Sequence, residues 1–226
     1  MSSVSIPAES TASSLLAAQS LRGRVLKRVG DIVFSLLVLS LGSPLFLLLA
    51  VLVKLSSRGS VFYRQRRIGR GYKGFGCLKF RTMRRDADRV LAALLEADPK
   101  LRAEFERDHK LKRDPRITPL GKFLRRSSLD ELPQFINVLR GEMSVVGPRP
   151  IVWDELRRYG RNMDEVLSVR PGLTGLWQVS GRNNLTYRTR VRLDLTYVRQ
   201  RNFWLDLGIV LRTIGVVLLP MDRGAY

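Results

Sequence analysis

Two adjacent carboxylates, Asp130 and Glu131, stand in the stretch Leu124-Arg-Arg-Ser-Ser-Leu-Asp-Glu-Leu-Pro-Gln134, directly after a pair of arginines. A carboxylate at the mouth of a helix can act as a covalent nucleophile towards phosphorus or as a ligand for a hard divalent cation such as magnesium. Both uses imply a phosphate-bearing substrate. Arg125 precedes the acids, and Arg149 follows them in Gly147-Pro-Arg-Pro150, a rigid loop suited to holding a guanidinium against phosphate oxygens in bidentate fashion. Lys79 and Arg81, on an expected strand, offer two further cations.

A purely structural reading competes with this one. Ser128 followed three residues later by Glu131 matches a capping box, and acids favour the first turn of a helix. Most arginines of so basic a chain are solvated. With Ser128 as the cap, however, Pro133 falls one place beyond the turn whose amides are free, so a helix bond would be lost. A start at Leu129 or Asp130 avoids that loss and leaves a carboxylate at the helix mouth. Trp177 could stack on a base or serve as a core or interface aromatic.

The composition bounds the remaining chemistry. The chain of 226 residues can hold one domain of ordinary size, or one domain with a membrane element. Forty Lys and Arg against 20 Asp and Glu give a net charge of +20, yet 45% of residues are hydrophobic, which excludes a disordered polyelectrolyte. The single Cys77 excludes an intramolecular disulfide or a cysteine-held zinc, and the single His109 excludes a histidine pair. Chemistry must rest on carboxylates, Arg, Lys and backbone.

The elements that must position these groups can be outlined. Residues 1–21 are rich in Ser and Ala and read as a mobile tail. Ile32–Val53 is an apolar run of 22 residues without a charge, interrupted by Gly42-Ser43-Pro44, where a kink is expected. Basic residues flank both ends, so both ends read as cytoplasmic. A segment with two inside ends enters the membrane, bends at Ser43-Pro44 and leaves on the same face; a kinked single span is the alternative. The Ser43 hydroxyl is placed to satisfy a carbonyl freed by the proline.

Val61–Arg64 and Cys77–Thr82, separated by a glycine-rich turn region, suggest a small hairpin. Asp86–Lys112 reads as a helix or a helix pair broken near Pro99, and Leu132–Leu139 and Val152–Tyr159 as short helices. Phe203–Leu219 carries charges at its middle and is expected to lie at the membrane interface or against the domain. The expected fold is mainly α with a small β-hairpin: an α+β catalytic domain over residues 59–226, with interfacial helices, held by a re-entrant membrane helix over 22–58.

Several ordered blocks together carry a resemblance. The basic stretch before the run with Ser43-Pro44, then Lys79-Phe-Arg-Thr-Met83, Ser128-Leu-Asp-Glu-Leu132, Gly141–Pro150, Arg170-Pro-Gly-Leu-Thr-Gly175, Gly181-Arg-Asn183 and Asp194-Leu-Thr-Tyr-Val198 resemble the bacterial sugar transferases. These are monotopic polyprenyl-phosphate phosphoglycosyltransferases. The likeness runs from about residue 27 to the C-terminus, with no departure inside the blocks, and is nearest to the short exopolysaccharide-initiating members.

The resemblance implies that Asp130 attacks the β-phosphate of a UDP-sugar and that undecaprenyl phosphate then takes the sugar phosphate from it. It implies that Glu131, with Asp130, holds Mg2+, that Arg125 and Arg149 bind phosphate, and that Asp194 lies near the site. It places the protein at the cytoplasmic face of the bacterial inner membrane, in contact with membrane lipid. Galactose or glucose is the sugar these short members favour, and homo-oligomerisation is left open. A nucleic-acid module does not suit the apolar run or the paired acids. A non-catalytic polybasic membrane anchor explains the run and its flanks but leaves the Asp-Glu pair without a purpose.

Overall fold

Leu15-Leu16-Ala17-Ala18 are good helix formers, and helix α1 runs from Glu9 to Leu41. The computed structural model describes residues 9–108, 111, 113–181 and 184–218. The expected mobile tail is therefore helical from Glu9 onwards, while residues 1–8, His109, Arg182 and Asn183 lie outside the described residues.

Gly42 separates α1 from α2 (Ser43–Ser56), and the two arms, counted from Arg22, meet at a 66° bend. The chemistry of the bend is local. Pro44 has no N–H to give to the carbonyl of Ser40, four residues back, and the Ser43 hydroxyl donates to that oxygen instead at 2.9 Å. No single described helix is long and apolar enough to cross a membrane, although the bent pair together meets that length and composition.

Antiparallel strands β1 (Phe62–Ile68) and β2 (Gly74–Phe80) form the expected hairpin, in register from Phe62 opposite Phe80 to Ile68 opposite Gly74. Helix α2 lies on it. Leu49 and Val53 are buried with Phe80 and Leu124, and the Phe46 ring sits 5.0 Å from that of Phe80. The Asp86–Lys112 segment is a helix pair, α3 (Ala87–Ala97) and α4 (Pro99–Asp108), and Asp98 between them accepts the amide of Lys100 at 2.8 Å.

Helix α5 (Pro119–Ser127) is capped by Thr118, whose Oγ1 accepts the Gly121 amide at 2.9 Å. Glycine is required at 121, because a Cβ there would lie 2.0 Å from the Thr82 carbonyl oxygen. Helix α6 (Gln134–Leu139) then leads to β3 (Ser144–Val146), which pairs in parallel with β4 (Gly172–Thr174). Between these strands lie α7 (Leu156–Tyr159) and α8 (Met163–Val166); the Val152–Tyr159 helix is thus real only in its second half, after a 3-10 turn at Trp153–Glu155. The described residues close with α9 (Leu176–Ser180), α10 (Tyr187–Gln200) and α11 (Phe203–Leu218).

Helix α1 is tied to the domain by polar groups as well as by apolar packing. Phe34, Val38 and Leu39 pack on a core that includes Phe135, Val138, Met143, Val146, Tyr197 and Ile209. The guanidinium of Arg28 donates to the carbonyls of Val138 (2.6 Å) and Leu139 (3.0 Å), satisfying the end of α6. Buried Asp31 accepts the Val145 amide at 3.0 Å, and Lys27 pairs with Asp206 of α11 at 2.8 Å. Two of the flanking cations are therefore committed to holding α1 at a fixed angle. Helix α11 buries Ile209 in the same core while exposing Phe203, Trp204 and Leu211.

Candidate active site

The two acids sit where α5 ends and the chain reverses. Ser128 adopts a left-handed conformation (φ 58°), closes α5 through its amide to the Arg125 carbonyl (3.3 Å), and makes no side-chain cap. A single 3-10 turn, Leu129–Glu131, follows, and α6 starts only after Pro133. The capping box is therefore not formed: an N-cap needs extended backbone, and the Glu131 carboxylate is engaged elsewhere. Proline at the N-cap of α6 costs no helix bond.

Glu131 accepts a hydrogen bond from the Lys79 ammonium at 2.6 Å, and Asp130 lies 3.8 Å from the same nitrogen. Strand β2 delivers that lysine. Its backbone is held by Asn137, fully buried on α6, whose Oδ1 accepts the Leu78 amide at 2.9 Å while its Nδ2 donates to the Gly76 carbonyl at 2.9 Å and to Glu142 at 2.6 Å. Arg125 donates from Nε to Thr82 Oγ1 at 2.9 Å and lends its charge to Asp130.

Burial dominates the electrostatics of Asp130. It pushes the carboxyl from the ordinary value of 3.8 up to about 6, against the opposing pull of Lys79, with the Glu131 charge adding to the rise. Glu131 behaves in the opposite way. Burial alone would raise it, but Lys79, Arg149 and Arg67 together hold it below the usual range. Lys79 is likewise shifted by burial downward, and the two carboxylates more than offset that, leaving it raised.

A small cleft beside Glu131 is lined by Arg67, Lys79, Gln134, Arg149, Pro150 and Gln178, among others. Arg67 is nearly buried, and donates to the Pro150 carbonyl at 3.0 Å, so it braces the loop that carries Arg149. Burial and the neighbouring Arg149 lower its pKa, and Glu155, 3.7 Å away, offsets only part of that. The Arg149 guanidinium lies 5.8 Å from the ring centre of Trp177, and that of Arg190 5.0 Å from it. Trp177 is buried, with both guanidinium groups over its ring.

Asp130, Glu131, Lys79, Arg125 and Arg149 are thus brought together, Asp194 stands next to Arg149, and Arg81 lies apart. Arg81 is turned towards the end of α2, where its guanidinium donates to the carbonyls of Ser57 (2.6 Å) and Ser60. It ties the end of α2 to the hairpin. Asp194 is fully buried on α10, accepts the Tyr159 hydroxyl at 2.9 Å, and lies against the Arg149 backbone rather than in the cleft. Burial raises it to about 7.

Sequence reasoning missed four contributors: Arg67, Asn137, Gln134 and Gln178. Arg67 was legible only as one of many basic residues, and Gln134 had a usable signal in its spacing of four from Asp130.

No group of three or more metal-ligating side chains occurs among the described residues. That suits magnesium only in its substrate-borne mode, in which one or two carboxylates supply hard oxygens and phosphate oxygens complete the shell. Asp130 and Glu131 fit such a donor set.

Paired acids beside Lys79, Arg67 and Arg149 make a site whose chemistry is suited to a phosphate-bearing ligand. The chain belongs to the bacterial sugar transferase family, whose sequence model matches residues 22–220. It is 55% identical over 206 residues to a protein of Haemophilus influenzae named an uncharacterized sugar transferase, covering 91% of this chain and 43% of that one. It is 50% identical over 204 residues to the exopolysaccharide production protein ExoY of Sinorhizobium fredii, covering 90% and 89% respectively. With the undecaprenyl-phosphate galactose phosphotransferase of Salmonella typhimurium the identity is 52% over 203 residues, 90% of this chain and 42% of the other. The chain therefore spans under half the length of two of these relatives and most of the third.

Proposed function

We propose that this protein transfers a hexose 1-phosphate from a UDP-sugar to undecaprenyl phosphate through a covalent intermediate on Asp130. The observation that carries the reading is a buried, poorly solvated carboxylate, Asp130, 3.8 Å from the Lys79 ammonium and adjacent to Glu131, whose cleft Lys79, Arg149 and Arg67 also line. Family membership and the name of the Salmonella relative support it.

In the first step an Asp130 oxygen bonds to the β-phosphorus, the bond from that phosphorus to the bridging oxygen breaks, and UMP leaves. In the second, an oxygen of undecaprenyl phosphate bonds to the same phosphorus, the Asp130–phosphorus bond breaks, and undecaprenyl-diphosphate-sugar is released with the carboxylate restored. Two anionic substrates thus bind in turn rather than together. Desolvation that raises Asp130 also makes its charge poorly satisfied and hence reactive. Arg149, braced by Arg67, screens the phosphate oxygens, and Arg125 supports the nucleophile from behind. Magnesium held by Glu131 and Asp130 would neutralise phosphate charge. Galactose, as in the name of the Salmonella relative, or glucose is the sugar.

The lipid phosphate lies at headgroup level, so the site must face the membrane. Residues 22–58 serve as a re-entrant anchor broken at Ser43-Pro44, on the cytoplasmic face of the inner membrane, with residues 59–226 as the catalytic domain. The leucines exposed along α1 and α2, with Phe123 of α5 and the α11 aromatics, support that placement.

The test is mass spectrometry of protein quenched after mixing with UDP-galactose or UDP-glucose and magnesium, without lipid. A hexose-phosphate adduct on the peptide bearing Asp130 is expected. Its attachment elsewhere, or transfer in a single displacement without any adduct, refutes the reading.

A further inference from the structure

The cleft that holds the cations also holds a neutral group with nothing to bind. Gln134 is only 3% exposed, yet its side-chain amide has no hydrogen-bond partner among the described residues. A primary amide carries two donors and an acceptor, and Gln134 is not one of the fully enclosed unpaired groups, which among the described residues are Gln178 Oε1 and Asp194 Oδ1, so the little exposure it keeps opens its amide to the cleft. Such a group is retained where a ligand completes it. Gln134 lines the cleft beside Glu131, Lys79 and Arg149, so the cleft is where its amide is completed.

The charge pattern separates two kinds of ligand atom. Arg67, Lys79 and Arg149 supply cations for phosphate oxygens, whereas an uncharged amide gains little selectivity from an anion that lysine and arginine bind better. Its own chemistry matches neutral hydroxyls, which donate and accept as it does. Gln134 opens α6 one helical turn from Asp130, so it is anchored next to the reacting phosphorus. In a nucleotide sugar the ring carried by that phosphorus lies closer to it than the base does, since the base is separated from it by a second phosphate and the ribose.

We infer that Gln134 is a specificity-determining residue that binds a ring hydroxyl of the sugar on the reacting phosphate, an inference that rests on the transferase reading above. The cations thus hold the diphosphate, and this amide checks what is attached to it.

The experiment compares the parent with Gln134→Met, which keeps length and apolar volume but removes the amide, and with Gln134→Asn, which keeps the amide and shortens it. Each is assayed for kcat and KM with UDP-galactose, UDP-glucose and their monodeoxy-sugar analogues, and for inhibition by UMP. The parent should lose roughly 3- to 10-fold in kcat/KM with one of the deoxy analogues, the worth of one neutral hydrogen bond. Gln134→Met should show that loss already with the full sugar and no further loss with the same analogue. Inhibition by UMP should stay unchanged, which a general distortion of the cleft would not allow, and Gln134→Asn should restore part of the discrimination.

A Met variant that penalises every analogue as the parent does overturns the inference. So does a variant in which UMP inhibition weakens as much as sugar transfer, which would assign the amide to the base. If the Met variant does not fold, an Asn variant with unchanged ratios among the analogues overturns it equally. A parent that moves no sugar phosphate from any nucleotide sugar fells the transferase reading itself, whereas an active parent without this coupling fells only the role of Gln134.

Discussion

Replacing Asp130 by Asn should make the protein more stable while stopping its turnover. Burial lifts the Asp130 carboxyl from 3.8 to about 6, so the folded protein holds this proton more tightly than the unfolded chain does. The sign follows from that difference. Below about pH 4 the group is protonated in both states and costs nothing; between about 4 and 6 the folded state resists the ionisation that the unfolded chain undergoes freely, and stability falls as pH rises. Above about 6 the full penalty, about 3 kcal/mol, is present.

An amide of nearly the same shape carries no such charge. Lys79 keeps Glu131 at 2.6 Å after the change, so little of the gain is lost to an orphaned ammonium. A net stabilisation of about 1–3 kcal/mol is expected at pH 7.5, or a Tm higher by roughly 2–10 °C for a chain of this size. Thermal unfolding of the two detergent-solubilised proteins, run side by side from pH 5 to 8, measures it. The difference should shrink to roughly half by pH 5. Equal or lower stability of the variant at pH 7.5, or a difference indifferent to pH, would refute the claim that a buried charge at this position is held against its solvation. In the parent, if Asp130 acts as proposed, kcat/KM should show an acid limb near pH 6, where Asp130 takes up its proton.

Two further outcomes follow from where Arg81 and the bent pair α1–α2 lie. Arg81→Met should lower stability by about 1–3 kcal/mol through the carbonyls of Ser57 and Ser60 it leaves unpaired, with KM for the nucleotide sugar within about twofold of the parent; a KM raised tenfold or more would return Arg81 to phosphate binding. Single cysteines introduced before Arg22 and after Ser56, in a Cys77→Ser background, should both react with an impermeant thiol reagent only from the cytoplasmic side, and labelling from opposite sides would establish a spanning helix.

The residue pattern alone carried the helical character, the hairpin, the helix break at Ser43-Pro44 and the Asp-Glu pair among its cations. These are local matters. A proline lacks its N–H wherever it stands, alternation and glycine turns announce a hairpin, and the freed Ser40 carbonyl finds the nearest hydroxyl. Family blocks in fixed order also survive without any structure. The parallel pairing of β3 with β4 was not legible, because three-residue strands separated by 25 residues have no periodicity to detect and draw their stability from the packing around them.

Tertiary structure alone divided the cations. Lys79 and Arg81, two residues apart, read alike, yet the fold sends one ammonium to Glu131 and the other side chain to the carbonyls behind α2. It also turned the capping-box reading aside by putting Ser128 in a left-handed conformation, moved Asp194 behind Arg149, and raised Arg67 and Gln134 from anonymity to the cleft wall. Charge and polarity are properties of a residue, but which partner answers them depends on what the folded chain brings within a few ångströms, and the withdrawal of water from Asp130 exists only after that packing is complete.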